Sequence, residues 1–270
     1  MLVAHITDTH ISKPDKSPEA TFHTSAHLAR AVAHINGLSR RPDAVLITGD
    51  LVDEGSPEEY ARFKELIAPL DMPVYLIPGN HDERDALRDA FGGAGYFPAT
   101  GFLQYTVENL PVRFVALDTN KPMATGGELC AERLAWLDKT LAEQPDRPTV
   151  VIMHHPPFKT GVHRMDDWGL DNADAFGAII ARHGQVERIL CGHLHRPIQR
   201  RYHGTIAQTG PSTAHQIGLD LSDNRDTLAL VMEPPACLLH YWTGEDLVTH
   251  TSYIDPFEVR AVVDFSKLGM

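Results

Sequence analysis

The chain has 270 residues, 43% hydrophobic and 22% charged, with a formal net charge of -12. This is globular composition with room for a full core, and the negative balance speaks against a nucleic-acid duplex as partner. No apolar stretch approaches the roughly 20 residues of a membrane span, no signal-like segment opens the chain, and Cys130, Cys191 and Cys237 lack short spacing, so a soluble, cytoplasmic protein is expected.

In chain order, the first apolar run, Leu2 to Ile6, reads as a strand and ends in "TDTH", presenting Asp8 and His10. A helix follows, with Leu28, Val32, Ile35 and Leu38 on one face and Gly37 as its stop. The second strand, Ala44 to Ile47, ends in "TGD" at Asp50. Ser56-Pro57-Glu58-Glu59 is a capping box with proline at the first helical position; Tyr60, Phe63, Leu66 and Ile67 form the buried stripe behind it. Val74 to Ile77 runs into "GNHD", with Asn80 and His81. Phe114 to Leu117 is a strand followed by Asp118, for which a turn or supporting role is expected. Leu129, Leu134, Leu137 and Leu141 mark a helix, and Val150 to Met153 ends in "HHPP" at His154 and His155. The irregular stretch Phe158 to Asp174 is long enough to shape access to a site. Ala175 to Arg182 is another helix, and Ile189 to Cys191 ends in "GHLH", with His193 and His195.

Strands too apolar for one wet face, alternating with helices, predict an α/β arrangement of covered sheets. After Pro211 the pattern changes to short strands, Leu228 to Met232, Leu238 to Trp242 and Leu247 to Tyr253. Residues 1–212 therefore read as the main domain and 213–270 as a C-terminal cap or oligomerisation extension.

A single histidine or Gly-Asp at a strand end is usually a hydrogen-bonded ring or a turn. Five strand ends that all present Asp, Asn or His point instead to one site at the carboxyl edge of the sheets. Asp8 and His10, like His193 and His195, are spaced by two, which in extended backbone puts both on one side; His154 and His155, as neighbours, should not both point inward. Glycine before Asp50, Asn80 and His193 allows close main-chain approach. Gathered carboxylates and imidazoles need cations. Oxygen and nitrogen donors without thiolate suit Zn, Fe, Mn or Co, and more than four candidates suggest two ions.

The blocks "DTH", "GDLVDEG", "GNHD", "MHHPP" and "GHLH", in this order from Asp8 to His195, resemble the signature blocks of the calcineurin-like metallophosphoesterase superfamily. "RPDAV", "SPEEY", "YLIPGNHD", "MHHPP" and "STAHQ" further resemble its bacterial class III branch, which includes cyclic-nucleotide phosphodiesterases and glycerophosphodiesterases. The resemblance implies a two-sheet β-sandwich flanked by helices and a pair of divalent ions. It implies that Asp8, His10 and His195 hold one ion, that Asn80, His154 and His193 hold the other, and that Asp50 bridges them. It favours His154 over His155 as the ligand. His81 is then free for catalysis, as general acid or charge stabiliser, and Asn80, His81 and His215 for contact with substrate.

The implied function is hydrolysis of small anionic phosphodiesters, either glycerophosphodiesters or 3',5'-cyclic nucleotides, by in-line attack of a metal-bridging hydroxide. The alternatives are a catalytically weak metal-binding scaffold of the same fold, or a phosphomonoesterase. Glu54 stands where protein phosphatases of the superfamily carry arginine, which disfavours dianionic substrates. The relatives also suggest a homo-oligomer. His5, His240 and the other histidines without motif context read as surface or structural.

Overall fold

Strand burial explains the apolar runs: every residue of β1 (Leu2–Ile6) and β2 (Ala44–Thr48) is buried, which requires cover on both faces. The computed structural model describes residues 1–264 and 266. β1, β2 and β3 (Val74–Ile77) are parallel neighbours in a five-stranded sheet. The second sheet has six strands: β4 (Tyr105–Val107), β5 (Arg113–Ala116), β6 (Thr149–Ile152), β7 (Val186–Cys191), β8 (Gln199–Tyr202) and β9 (Thr205–Thr209). Its spatial order is β8-β9-β7-β6-β5-β4, with the four inner strands parallel and the two edges antiparallel.

The sheets pack face to face. Val3, Leu46 and Ile77 of the first share one apolar cluster with Phe114, Ile152 and Leu190 of the second. Helices α1 (Ser17–Phe22), α2 (Thr24–Asn36), α3 (Pro57–Ile67) and α4 (Arg84–Phe91) follow the strands of the first sheet. Its outer face is covered through Leu28 and Ile35 of α2, Phe63 of α3 and Leu87 of α4. On the second sheet, α5 (Ala131–Ala142), α6 (His163–Asp166) and α7 (Ala173–Ile180) follow, and Leu137, Leu141, Phe176 and Ile179 cover Val151 and Ile189. This is the helix-flanked sandwich that the resemblance implies.

The capping box forms as read. Ser56 Oγ accepts from the Glu59 N–H, and the Glu59 carboxylate accepts from the Ser56 N–H. Ser56→Ala is therefore expected to lower stability by about 1 kcal/mol, measurable by denaturant unfolding, with no effect on ion binding.

Leu2–Ile6, Val74–Ile77 and Leu247–Tyr253 are strands with the predicted limits, three others shift by a residue, those predicted from Ile189 and Leu238 start at Val186 and Ala236, and α1 has no apolar period that would announce it. The predicted strand Leu228 to Met232 shrinks to Leu230–Val231, paired with Gln216–Ile217. Of the extension 213–270, β10 (Ala236–Trp242) and β11 (Leu247–Tyr253) form a hairpin whose β10 pairs antiparallel with β1, which completes the first sheet as β11-β10-β1-β2-β3. Residues 265 and 267–270 of that extension lie outside the described residues.

Candidate metal centre

Parallel register sets the site. Ile6 pairs with Ile47 and Thr48 with Ile77, so the chain leaves β1, β2 and β3 at one level. Asp8, Asp50 and Asn80 follow within a few residues of those ends. In the second sheet Ile152 pairs with Leu190, which brings His154 and His193 level as well. Asp8, His10, Asp50, His154, His193 and His195 are all buried there, and Asn80 is half-buried.

The convergence is not made by strand pleat. Asp8, His10, Asp50, His193 and His195 all have left-handed backbone, with φ between 43° and 69°. Each lies beyond the last strand residue, so the expected same-side alternation does not apply; single left-handed residues turn the side chains inward. Side chains other than glycine hold this conformation only where surroundings over-determine it. Main-chain bonds do so here: Asp8 N donates to Gly49 O, His10 N to Asp50 O, and His193 N to the Asp8 carboxylate.

The same correction applies to the histidine pair. Past the end of β6, the rings of His154 and His155 both join the cluster, with centroids 4.8 Å apart. They differ in their free atoms. His155 accepts at Nδ1 from the Thr119 hydroxyl and donates from Nε2 to Thr125 O, which uses both nitrogens. His154 donates from Nδ1 to Thr48 O at 2.8 Å and directs Nε2 to Asn80 and Asp50.

Two glycines are required by close approach. A Cβ on Gly79 would lie 2.2 Å from Asp50 Oδ1 and 2.3 Å from Asp50 N, and one on Gly192 would lie 2.2 Å from Thr7 Oγ1. Gly79→Ala should cost about 1–3 kcal/mol through overpacking and weaken ion binding by displacing Asp50. Unfolding curves with and without Mn²⁺ read both effects.

The histidine tautomers bear on whether these residues fit metal. A carbonyl only accepts, so the nitrogen facing it carries the proton. His195 donates from Nδ1 to His215 O at 2.9 Å, which turns its Nε2 lone pair to His10 Nε2 at 3.1 Å and Asp8 Oδ1 at 3.4 Å. Nε2 of His154 faces Asn80 Oδ1 at 3.2 Å and Asp50 Oδ2 at 3.3 Å. His193 donates from Nε2 to Trp168 O, leaving Nδ1 as its donor atom. Nitrogens and oxygens aimed at one another at these distances share either a proton or a cation, and a buried donor set of imidazoles, carboxylates and one amide fits divalent ions.

In Asp8–His10–Asp50 and in His154–His155–His193 one nitrogen or carboxylate oxygen of each residue lies within 4.8 Å of the others, with both His155 nitrogens already engaged. Two further trios, His10–His195–His215 and His10–Asp53–His81, extend the cluster.

Electrostatics agree. Burial holds His193 well below the usual imidazole range and lowers His195, so both present neutral nitrogen. Burial opposes the Asp50 charge, yet His154, His81 and His10 hold its carboxyl well below the usual range. Burial likewise opposes a proton on His154, but Asp50 and Asp8 outweigh it and raise the ring to about 9, so without an ion its Nε2 carries a proton that a bound ion would displace. Burial, with Asp50 nearby, pushes Asp82 up to about 6; it accepts from Gly79 N, Leu51 N and Tyr60 Oη and so fixes the "GNHD" turn.

The centre opens into a cavity of about 350 Å³ lined by His81, His215, Phe22, Trp168 and Leu228, among others. His81 donates its backbone N–H to Asp50 Oδ1 and its Nδ1–H to Asp53 O at 2.8 Å, which leaves Nε2 toward the cavity; its side chain is 38% exposed. His215 is buried, stacks on Phe22 at 4.3 Å and has no hydrogen-bond partner at Nδ1 among the described residues.

Asp118 binds Arg84 at 2.6 and 2.9 Å and makes no approach to the cluster. The stretch 158–174 contributes Met165 and Trp168 to the cavity wall. Glu54 is paired with Lys16 at 2.8 Å, which balances its charge.

Sequence reasoning missed Asp53. Its Oδ1 lies 3.4 Å from His10 Nδ1 and 3.5 Å from His81 Nδ1, where a carboxylate can orient both rings. It stood within the quoted block "GDLVDEG", three residues after Asp50. Nothing in sequence marks the Trp168 carbonyl.

Comparison with known proteins decides the family, since the calcineurin-like phosphoesterase family model matches residues 1–197. The chain belongs to the calcineurin-like phosphoesterases. Among its relatives is a probable glycerophosphodiester phosphodiesterase of Arcobacter nitrofigilis, 39% identical over 96% of this chain and 95% of the relative. Another is a 3',5'-cyclic-nucleotide phosphodiesterase of a Nostoc species, 30% identical over 97% of each chain. A dimetal phosphatase from Danio rerio shares the fold of this phosphoesterase with a TM-score of 0.67, at 16% identity over 94% of this chain and 96% of that one.

Proposed function

We propose that this calcineurin-like phosphoesterase hydrolyses small phosphodiesters with two divalent ions, Fe, Mn, Zn or Co. Asp8, His10 and His195 hold one, Asn80, His154 and His193 the other, and Asp50 lies between them. The observation that carries the reading is the set of imidazole nitrogens and carboxylate oxygens aimed at one another at the cavity floor.

When bound, such ions supply Lewis acidity toward phosphoryl oxygens and lower the pKa of water. The protein's own residues do the rest. His81 carries a proton at Nε2 to the departing alkoxide, held in place by the Asp53 carbonyl. Asn80, His81 and His215 contact the substrate from the cavity wall, and Asp53 orients His10. Residues 1–212 carry the whole ligand set, while 213–270 add His215, Ile217 and Leu228 to the wall.

Glycerophosphodiesters are the preferred class because, of the two relatives above that align over nearly the whole chain, the one named for them is 39% identical and the one named for cyclic nucleotides 30%. Turnover of glycerophosphoethanolamine should exceed that of cyclic AMP at equal concentration; the reverse order would assign the enzyme to cyclic nucleotides. Three free cysteines support a cytoplasmic setting. Exposed Phe257, Val259, Val262 and Val263 support a homo-oligomer.

A further inference from the structure

Two histidines that lack any motif context, His5 in β1 and His240 in β10, are fully buried in the sheet interior. His5 Nδ1 lies 3.2 Å from His240 Nε2, His5 Nε2 lies 2.8 Å from Thr48 Oγ1, and His240 Nδ1 lies 2.9 Å from Thr249 Oγ1. Burial lowers both rings, His5 to about 3, so each is neutral with one N–H and one lone pair.

Donor counting gives the chain a direction. Thr48 is buried and its hydroxyl has His5 as its sole partner among the described residues, so Thr48 O–H donates to His5 Nε2. His5 Nδ1–H then donates to His240 Nε2, and His240 Nδ1–H to Thr249, whose half-buried hydroxyl can pass its own proton to water. The opposite direction would leave the Thr48 O–H buried without an acceptor.

Thr48 is the link to the metal centre. Its carbonyl accepts the Nδ1–H of His154 and the Thr7 hydroxyl, and it stands two residues before Asp50. We infer that His5 and His240 are positioning residues: by fixing Thr48 they aim His154 Nε2, and so tie the C-terminal hairpin to the ion position made by Asn80, His154 and His193. This rests on the two-ion reading above.

The test is Co²⁺ binding followed by calorimetry, with His154→Ala identifying which of two binding steps belongs to that position. His240→Phe is expected to weaken that step about tenfold, the low end for groups that orient a ligand, and to leave the other step unchanged. Thr249→Val keeps shape and removes only the outer acceptor; it should weaken the same step by less, and it decides alone if His240→Phe does not fold. Wild-type affinity at both steps, or equal weakening of both, overturns the inference. A wild-type protein that binds fewer than two ions overturns the two-ion reading instead.

Discussion

Asp50→Ala is expected to abolish ion pairing and to cut kcat/KM for diesters by more than about a thousandfold, beyond the 10²–10³ of one transition-state hydrogen-bond donor. Three functions end with that side chain. Its Oδ2 lies 3.3 Å from His154 Nε2 and 3.7 Å from His10 Nε2, which makes it the group between the two halves of the donor set. Its Oδ1 accepts the His81 N–H and so places the "GNHD" turn. Its charge is also what raises His154, so without it the imidazoles face one another unneutralised. Elemental analysis of the variant should find fewer than two ions per chain, and a diester assay reads the activity. A variant that keeps two ions would remove Asp50 from between them.

His81→Ala should behave differently, with both ions retained and kcat lowered about 10²–10⁴-fold, the usual contribution of a general acid. His81 has no ligand position in the donor set, and its Nδ1 is occupied by the Asp53 carbonyl. Only Nε2 is left for chemistry. The sharper readout is leaving-group dependence. A nitrophenyl diester departs without needing a proton, so its turnover should fall far less than that of a glycerophosphodiester. Equal losses on both substrates would make His81 a stabiliser of phosphoryl charge and not the proton donor.

The strand ends could be read from residue types because β1, β2, β3, β6 and β7 are buried on both faces, and a polar side chain after such a run has to find a partner. Which side chains converge was therefore legible; how they converge was not. Left-handed backbone at Asp8, His10, Asp50, His193 and His195 is imposed by bonds between distant loops, such as His193 N to Asp8, and no local pattern carries that information. The hairpin β10–β11 was recognisable as strands, but its place beside β1 is a pairing across more than 230 residues. Asp53 was hidden for the opposite reason. It sits in the same short block as Asp50, and only the fold shows that its carboxylate turns to His10 while its carbonyl turns to His81. Likewise His5 and His240 look like any isolated histidine until the sheet places them 3.2 Å apart.

The central claim is that Asp8, His10, Asp50, Asn80, His154, His193 and His195 cage two divalent cations. Anomalous diffraction from crystals grown with Mn²⁺ tests it most directly. The account predicts two peaks about 3.5–4 Å apart, one on each side of the Asp50 carboxylate. A single peak, or peaks bound elsewhere on the protein while these side chains stay bare, would contradict it.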